Sequence, residues 1–245
     1  MNGSEANSTQ GFWGPVTASI DWCEPNYIVS PYVAEFWNTV SNVALVFLPL
    51  IVFGQYRRYQ LETRFQVLTL ATAVVGLGSA LFHSTLLFYC QLADELPMLW
   101  ASFVNLYILV HDSKRARHPV VPYMLALFTL LWTAGSPWTH LYYPLWFELL
   151  FGAIQVVALG LLIERLVQSD NTTNNLKFFV AYLAFHITAF VLWSIDNKYC
   201  GVILSSPYGQ HWLYPFVGSL HGWWHMLMVY ILVICFPPHF FFKNH

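Results

Sequence analysis

The stretch AEFWNTVSNVALVFLPLIVFGQ, residues 34–55, decides the fold class of this chain. A helix that crosses a membrane needs roughly 20 mainly apolar residues, and this run is long and apolar enough. Two arginines, Arg57 and Arg58, follow it directly. An apolar run of this length that ends in paired cations predicts a transmembrane helix.

Six more runs of the same kind follow along the chain. With the first, they give seven candidate spans at residues 34–55, 66–88, 93–111, 119–135, 142–163, 177–195 and 214–236. The segments that connect them contain charged and turn-forming residues, for example RRYQLETR, GSPWTH and ERLVQSDNTTNN. We therefore predict an all-α, polytopic membrane protein. A seven-transmembrane helix bundle occupies residues 34–236, between an N-terminal segment at 1–33 and a short tail at 237–245.

The composition supports this fold class. The 245 residues are 57% hydrophobic and only 9% charged, whereas soluble domains carry about 25% charged residues. So few charges cannot cover the surface of a soluble domain of this length. Eleven tryptophans fit the aromatic belts of membrane proteins. The net charge of -2 gives no indication of nucleic-acid binding.

The distribution of cations predicts the orientation. Only Lys198 falls on one side of the predicted bundle. The other nine fall on the opposite side: Arg57, Arg58, Arg64, Lys114, Arg115, Arg117, Arg165, Lys177 and Lys243. Because cytoplasmic loops carry an excess of Lys and Arg, we predict a cytosolic C-terminus and an N-terminus in the lumen or at the exterior.

Two cysteines fall on the predicted lumenal side. Cys23 precedes the first span, and Cys200 lies between the sixth and seventh. Disulfides persist in oxidising compartments, so a Cys23–Cys200 bridge would tie the N-terminal segment to the last lumenal loop. The alternative is two unpaired thiols.

Ionisable side chains within a membrane are costly and usually mark a functional site. Ser79 and His83 are spaced i,i+4 in the second span, and His221 and His225 have the same spacing in the seventh. Residues with this spacing share one helix face. Asp94 begins the third span. The predicted topology places all five in the lumenal half of the bundle, at similar depth.

These residues are typical of a catalytic zinc site. Three neutral imidazoles with an open fourth position form a recognised zinc set, and paired i,i+4 histidines are used by known zinc enzymes. Each histidine alone could equally be a hydrogen-bonded core residue, and we expect that for His140 and His186. The combination of His83 with the HGWWH motif favours zinc.

A second polar cluster lies ahead of the first span. Its members are Asp21, Trp22, Glu24, Asn26 and Glu35. Carboxylate, amide and carbonyl oxygens are the ligands that calcium prefers. The alternative is a solvated acidic turn with an interfacial glutamate, and the spacing does not decide between the two. Glu148 in the fifth span receives no role.

Three segments resemble the alkaline ceramidases. They are DWCEPNY…AEFWNTVSN (Asp21 to Asn42), GLGSALFHSTLLFYCQLADELPM (Gly76 to Met98) and HGWWH (His221 to His225). SIDNKYC, which ends at Cys200, also fits. The family is part of a wider group of seven-helix membrane hydrolases that share Ser-x-x-x-His, Asp and His-x-x-x-His, a group that includes the adiponectin and progestin receptors.

The resemblance implies a role for each residue that matches the family's motifs. His83, His221 and His225 would bind a catalytic Zn²⁺, and Ser79 and Asp94 would complete the site. Cys23 and Cys200 would form a disulfide. A Ca²⁺ ion would be bound by Asp21, Trp22 (through its carbonyl), Glu24, Asn26 and Glu35.

The expected activity is hydrolysis of ceramide, dihydroceramide or phytoceramide to a sphingoid base and a fatty acid. The expected location is the membrane of the endoplasmic reticulum or Golgi, with no protein partner. One alternative is a lipid receptor on the same zinc scaffold with little or no hydrolase activity. A second is an ion or proton transporter that uses Glu35, Asp94 and Glu148, although transporters usually show internal repeats and none is evident in the sequence.

Overall fold

The structure, a computed structural model, describes residues 11–60, 62–113, 118–143, 145–168, 172–206 and 219–235. The predicted tail at 237–245 and the first ten residues lie outside this part. Throughout the described ranges the regular secondary structure is helical. The seven helices are α1 (Phe36–Arg58), α2 (Thr63–Thr85), α3 (Phe88–Asp112), α4 (Val121–Tyr142), α5 (Trp146–Val167), α6 (Thr172–Ser205) and α7 (Leu220–Cys235).

Four of these helices are long and apolar enough to cross a membrane. They are α1, α2, α5 and the part of α6 from Asn175 to Ser205. Large apolar side chains are exposed on their outer faces, such as Phe47, Leu77 and Val157. Because such side chains are stable against lipid rather than water, the protein is an all-helical membrane protein. The full count of seven spans and the orientation of the termini stay predictions.

Among the predicted helix boundaries that fall on described residues, four were wrong by five residues or more. Helix α3 begins at Phe88 rather than at residue 93, so that Asp94 lies in its second turn, and α6 begins at Thr172 rather than at residue 177.

The segment GSPWTH, residues 135–140, was predicted to connect two helices but lies inside α4, which continues to Tyr142. The sixth span was predicted to end at residue 195, but α6 continues to Ser205 and therefore contains Asp196 and Cys200. Hydropathy falls where polar residues begin, whereas the backbone helix continues until a residue breaks its hydrogen bonds, so the two boundaries differ.

Six helices form a ring. Around it, α1 contacts α2, α2 contacts α3, α3 contacts α5, α5 contacts α6, α6 contacts α7, and α7 returns to α1. The remaining helix, α4, packs outside the ring against α3 and α5. This arrangement places the inner faces of α2, α3 and α7 next to a shared interior.

The N-terminal segment caps the end of α2. The last carbonyl groups of a helix have no partner within it. Here Thr17 and Ala18 donate backbone hydrogen bonds to the Leu86 carbonyl, each at 3.1 Å, and Glu35 donates to the carbonyl of His83 at 2.9 Å. The segment is thereby fixed to the turn of α2 that carries His83.

Helices α2 and α3 approach each other closely at Gly78. Pro97 in α3 has no N–H, so the Ala93 carbonyl lacks its usual partner within the helix. Gly78 lies against this carbonyl, and a Cβ atom at Gly78 would lie 3.1 Å from the Asp94 nitrogen and closer still to Ala93. The missing side chain therefore allows Ser79, the next residue, to lie beside Asp94.

We expect Gly78→Ala to destabilise the protein and reduce its activity. Overpacking a tight contact typically costs about 1–3 kcal/mol, which exceeds the gain of up to about 1 kcal/mol from replacing glycine in a helix. Gly160→Ala in α5 is the control, because a Cβ there meets no atom within 4 Å. Thermal unfolding of both variants checks this, and equal melting temperatures would contradict the close approach.

Candidate active site

Two pairs of polar residues face each other inside the ring. Ser79 and His83 lie one turn apart on α2, His221 and His225 lie one turn apart on α7, and all four are buried. Three imidazoles, from His83, His221 and His225, offer one ligand atom each, and these atoms lie within 4.8 Å of one another. The structure therefore brings together the three histidines that the sequence pattern singled out.

The nitrogens of this cluster fit a metal ion. His83 Nε2 and His221 Nδ1 are buried, and neither has a hydrogen-bond partner among the described residues. Burying a polar atom without a partner is costly, and a metal ion bound by the lone pairs would remove that cost. The donor set is three imidazole nitrogens, a set that metal ions of intermediate softness prefer.

The second nitrogens of two of the rings contact oxygen atoms on α1 or at its start. Glu35 Oε2 lies 2.5 Å from His83 Nδ1, and Ser41 Oγ lies 2.7 Å from His225 Nδ1. Partners of this kind fix the tautomer and the ring orientation of metal-binding histidines. Glu35 and Ser41 thus direct Nε2 of both rings toward the cluster.

A hydroxyl and a carboxylate stand beside the histidines. Ser79 Oγ lies 3.3 Å from His225 Nε2, and the Asp94 carboxyl is close enough to the Ser79 hydroxyl to interact with it. Ser79, Asp94 and His225 line a small cavity of about 130 Å³. A proton acceptor, a hydrogen-bond donor and a metal-binding cluster therefore meet at one point.

A larger cavity of about 600 Å³ leads away from this point. It begins at Asp94 and His221 and extends between α3, α5, α6 and α7, mainly along apolar side chains. Trp22 lies in its wall and stacks on His221 at 3.7 Å between ring centroids. The shape and lining suit a flexible apolar chain whose reacting group lies at the histidines.

The residues of the predicted calcium cluster are also close together. The amide nitrogen of Asn26 lies 3.1 and 3.2 Å from the two Asp21 carboxylate oxygens. Trp22 donates its backbone N–H to Glu35 Oε1 at 2.9 Å. The Glu35 carboxyl is near enough to those of Asp21 and Glu24 to interact with both. Three carboxyl groups and an amide thus gather beside the start of α1.

Glu24 also caps α1. Its two carboxylate oxygens accept the backbone N–H groups of Trp37 and Asn38 at 2.7 and 2.8 Å. Burial raises the pKa of the Glu24 carboxyl to about 7, although these two hydrogen bonds favour its ionised form. A nearby cation would favour the ionised form further.

A disulfide joins the N-terminal segment to α6. Cys23 and Cys200 are bonded, with a Cα–Cα distance of 5.2 Å. Beside it, Asp196 accepts the backbone N–H of Cys23 at 3.0 Å and that of His221 at 3.3 Å. One carboxylate therefore connects the N-terminal segment, α6 and the first turn of α7.

Sequence reasoning did not assign Asp196 and Ser41 to the site, nor did it place Glu35 against His83. A signal for the polar face of α1 was present. Asn38, Ser41 and Asn42 are spaced i, i+3, i+4 within an otherwise apolar span, and this spacing predicts one shared face. Asp196 gave no comparable signal because its partners are backbone groups.

The two histidines expected to be ordinary hydrogen-bonded residues do make such bonds. His186 Nδ1 lies 3.1 Å from the carbonyl oxygen of Tyr182. His140 Nδ1 lies 2.9 Å from that of Ser136, and His140 Nε2 contacts Glu95. The His140–Glu95 pair is buried and connects α4 to α3.

The fold and the site together define a helical membrane protein with a buried cluster of histidines that can hold a metal ion at the end of an apolar cavity. The chain belongs to the ceramidase family, whose model matches residues 14–238. It is 31% identical to alkaline ceramidase 3 of Mus musculus, over 89% of this chain and 81% of that protein. It is 35% identical to an alkaline ceramidase of Saccharomyces cerevisiae, over 90% and 75%. To an alkaline ceramidase of Arabidopsis thaliana it is 30% identical, over 91% and 83%.

Proposed function

We propose that this protein hydrolyses the amide bond of ceramide within the membrane, with the help of a zinc ion, and releases a sphingoid base and a free fatty acid. The observation that carries the proposal is the meeting of three imidazoles, Ser79 and Asp94 at the end of an apolar cavity. The similarity to proteins named alkaline ceramidases supports the choice of substrate.

Zinc is the metal that best suits this donor set. Three neutral imidazoles with an open position form a known catalytic zinc arrangement, and His83, His221 and His225 would hold the ion. A zinc ion bound here would lower the pKa of water and polarise the amide carbonyl. Glu35 and Ser41 keep two of the rings in the orientation that binding requires.

Asp94 carries out the proton transfers. Its carboxylate accepts a proton from the attacking water as the new C–O bond forms, and then donates that proton to the amine nitrogen as the C–N bond breaks. Ser79 donates its hydroxyl hydrogen bond to the carbonyl oxygen as negative charge develops there. A donor in this role is typically worth about 3–4 kcal/mol in the transition state.

The location of the cavity explains how the substrate reaches the site. Ceramide has two long chains and a small polar head, so it stays in the bilayer. A cavity inside a ring of membrane helices accepts such a molecule without transferring its chains into water. We place the cavity and the N-terminal segment on the lumenal side of the endoplasmic reticulum or Golgi membrane, because nine of the ten cations favour that orientation of seven spans.

The experiment that tests the function is product analysis with purified protein. Ceramide in mixed micelles is incubated with the full chain, and the sphingoid base is measured by mass spectrometry. Release of base by the wild-type protein, and not by Asp94→Asn, is the expected result. A receptor or a transporter on the same scaffold would release none.

The acidic cluster of the N-terminal segment is proposed to bind calcium. Asp21, Glu24, Asn26 and Glu35, with the Trp22 carbonyl, supply oxygen ligands of the type that calcium prefers. Glu35 also contacts His83, and the Cys23–Cys200 disulfide and Asp196 connect the same segment to α6 and α7. Calcium would hold these elements in place without touching the substrate.

We expect Asp21→Asn to raise the calcium concentration needed for full activity or thermal stability by roughly tenfold, because it removes one charged ligand. Zinc content should not change, since among the described residues Asp21 does not contact the three histidines. Activity and melting temperature as functions of calcium concentration check this, with Glu62→Gln as a control far from the cluster. If wild-type protein contains no calcium and ignores it up to millimolar levels, the site is absent.

A further inference from the structure

Glu148 is a carboxylate in the wall of the large apolar cavity that the proposed chemistry does not use. It lies in the first turn of α5 and is partly buried. Glu148 shares its helix face with Gly152, Gln155 and Leu159, which also line the cavity and follow the helical period. The positive end of the helix dipole favours a carboxylate in a first turn, but it does not explain why this one faces the cavity.

The other two carboxylates that line this cavity, Asp94 and Glu95, have partners of their own. Glu95 accepts a hydrogen bond from Gln91 Nε2 at 2.8 Å and contacts His140 with its other oxygen. Asp94 interacts with Ser79. In the described part of the chain Glu148 makes no such hydrogen bond or ion pair; it is repelled by Glu95 and attracted by Lys198 at longer range.

A carboxylate in an apolar wall needs a hydrogen-bond donor from the molecule that fills the cavity. The sphingoid part of ceramide offers hydroxyl groups on the two carbons that flank the nitrogen-bearing carbon. When the amide lies at Ser79 and Asp94, these hydroxyls lie only a few ångströms from it. Glu95, the neighbour of Asp94 in the chain, lies in the same cavity wall as Glu148 and interacts with it.

We propose that Glu148 is a specificity-determining residue that accepts a hydrogen bond from a hydroxyl of the sphingoid head. This inference rests on the proposed ceramide hydrolysis and adds how the enzyme distinguishes ceramide from other N-acyl lipids. The apolar walls bind the chains without selecting the head, whereas an acceptor in the cavity wall rejects a substrate that lacks the hydroxyl, because the bound substrate excludes water and the carboxylate then stays unpaired.

The test combines an enzyme variant with altered substrates. Glu148→Met keeps the side-chain length and removes the acceptor. The value of kcat/KM is measured for ceramide and for its analogues that lack the C1 or the C3 hydroxyl. We expect Glu148→Met to reduce kcat/KM for ceramide by roughly 10- to 100-fold. On the analogue that lacks the recognised hydroxyl, wild-type and variant should differ little, which also identifies that hydroxyl.

Two further variants complete the design. Glu148→Gln keeps a hydrogen-bond acceptor and should recover part of the loss, and it carries the test if Glu148→Met does not fold. Glu164→Met, near the other end of α5 and outside the cavity wall, should leave the preference for ceramide unchanged. Zinc content and melting temperature confirm that each variant is folded.

Either of two results would overturn this inference without affecting the proposed hydrolysis of ceramide. One is an equal loss on all three substrates, and the other is no loss on ceramide. A wild-type protein that releases base from none of the three would instead refute the proposed function, and this inference with it.

Discussion

Asp94→Asn is expected to lower the rate of ceramide hydrolysis by roughly 10²- to 10⁴-fold, the range that general acid–base groups usually contribute. Asparagine keeps the shape of the side chain but cannot accept the water proton or pass it to the amine. Because Asp94 is not one of the three clustered ligands, zinc should stay bound. The measurement is the rate of sphingoid-base release together with metal analysis of the same sample.

Ser79→Ala provides the comparison for this prediction. Loss of the hydrogen bond to the developing oxyanion should reduce the rate by roughly 10²- to 10³-fold, and it should not remove the metal. If Asp94→Asn were nearly as active as the wild-type protein, another group would have to transfer the proton, and the neighbouring Glu95 would be the first to examine.

His221→Ala and His225→Ala are expected to lose zinc and, with it, activity. Wild-type protein should carry about one zinc ion per chain, since three imidazoles form a single site. Each variant removes one of the three ligands and leaves at least His83 Nε2 buried without a partner among the described residues. Metal analysis by mass spectrometry after purification checks the content, and product release checks the activity.

His186→Ala is the matched control for the histidine variants. His186 is a histidine of the same interior, it bonds to the Tyr182 carbonyl, and it does not belong to the cluster. Its loss should leave the zinc content unchanged. Zinc retained in both His221→Ala and His225→Ala would refute the three-histidine site.

The part of the site that sequence could predict rests on helical spacing. Ser79 with His83, and His221 with His225, are i,i+4 pairs in spans that are otherwise apolar. Such pairs must share a helix face, and polar faces in a membrane turn toward each other. The structure brings the three histidines together for this reason.

Contacts that depend on how the helices are placed could not be predicted in this way. Glu35 was expected as a calcium ligand at the membrane boundary, and its contact with His83 was not foreseen. That contact exists because the N-terminal segment caps the end of α2, and backbone hydrogen bonds of this kind leave no trace in the sequence. The buried Glu95–His140 pair likewise requires α4 to pack against α3 at one register.

In the fold, too, local features could be predicted from the sequence and features that depend on other parts of the chain could not. Hydropathy identified the helices correctly, because the length of an apolar run is a local property. It failed at the end of α6, where the helix continues through polar residues to Ser205. The extension brings Cys200 and Asp196 to the N-terminal segment. Asp196 also accepts a backbone hydrogen bond from His221, so this part of α6 connects the N-terminal segment to α7.

The proposed mechanism places ceramide hydrolysis at a metal ion bound by His83, His221 and His225. The most direct measurement follows the rate of sphingoid-base release by purified protein as a chelator removes zinc in steps, with the zinc content measured at each step. We expect a rate that is proportional to the zinc content and is restored when zinc is returned. An unchanged rate in protein that has lost its zinc would contradict this mechanism.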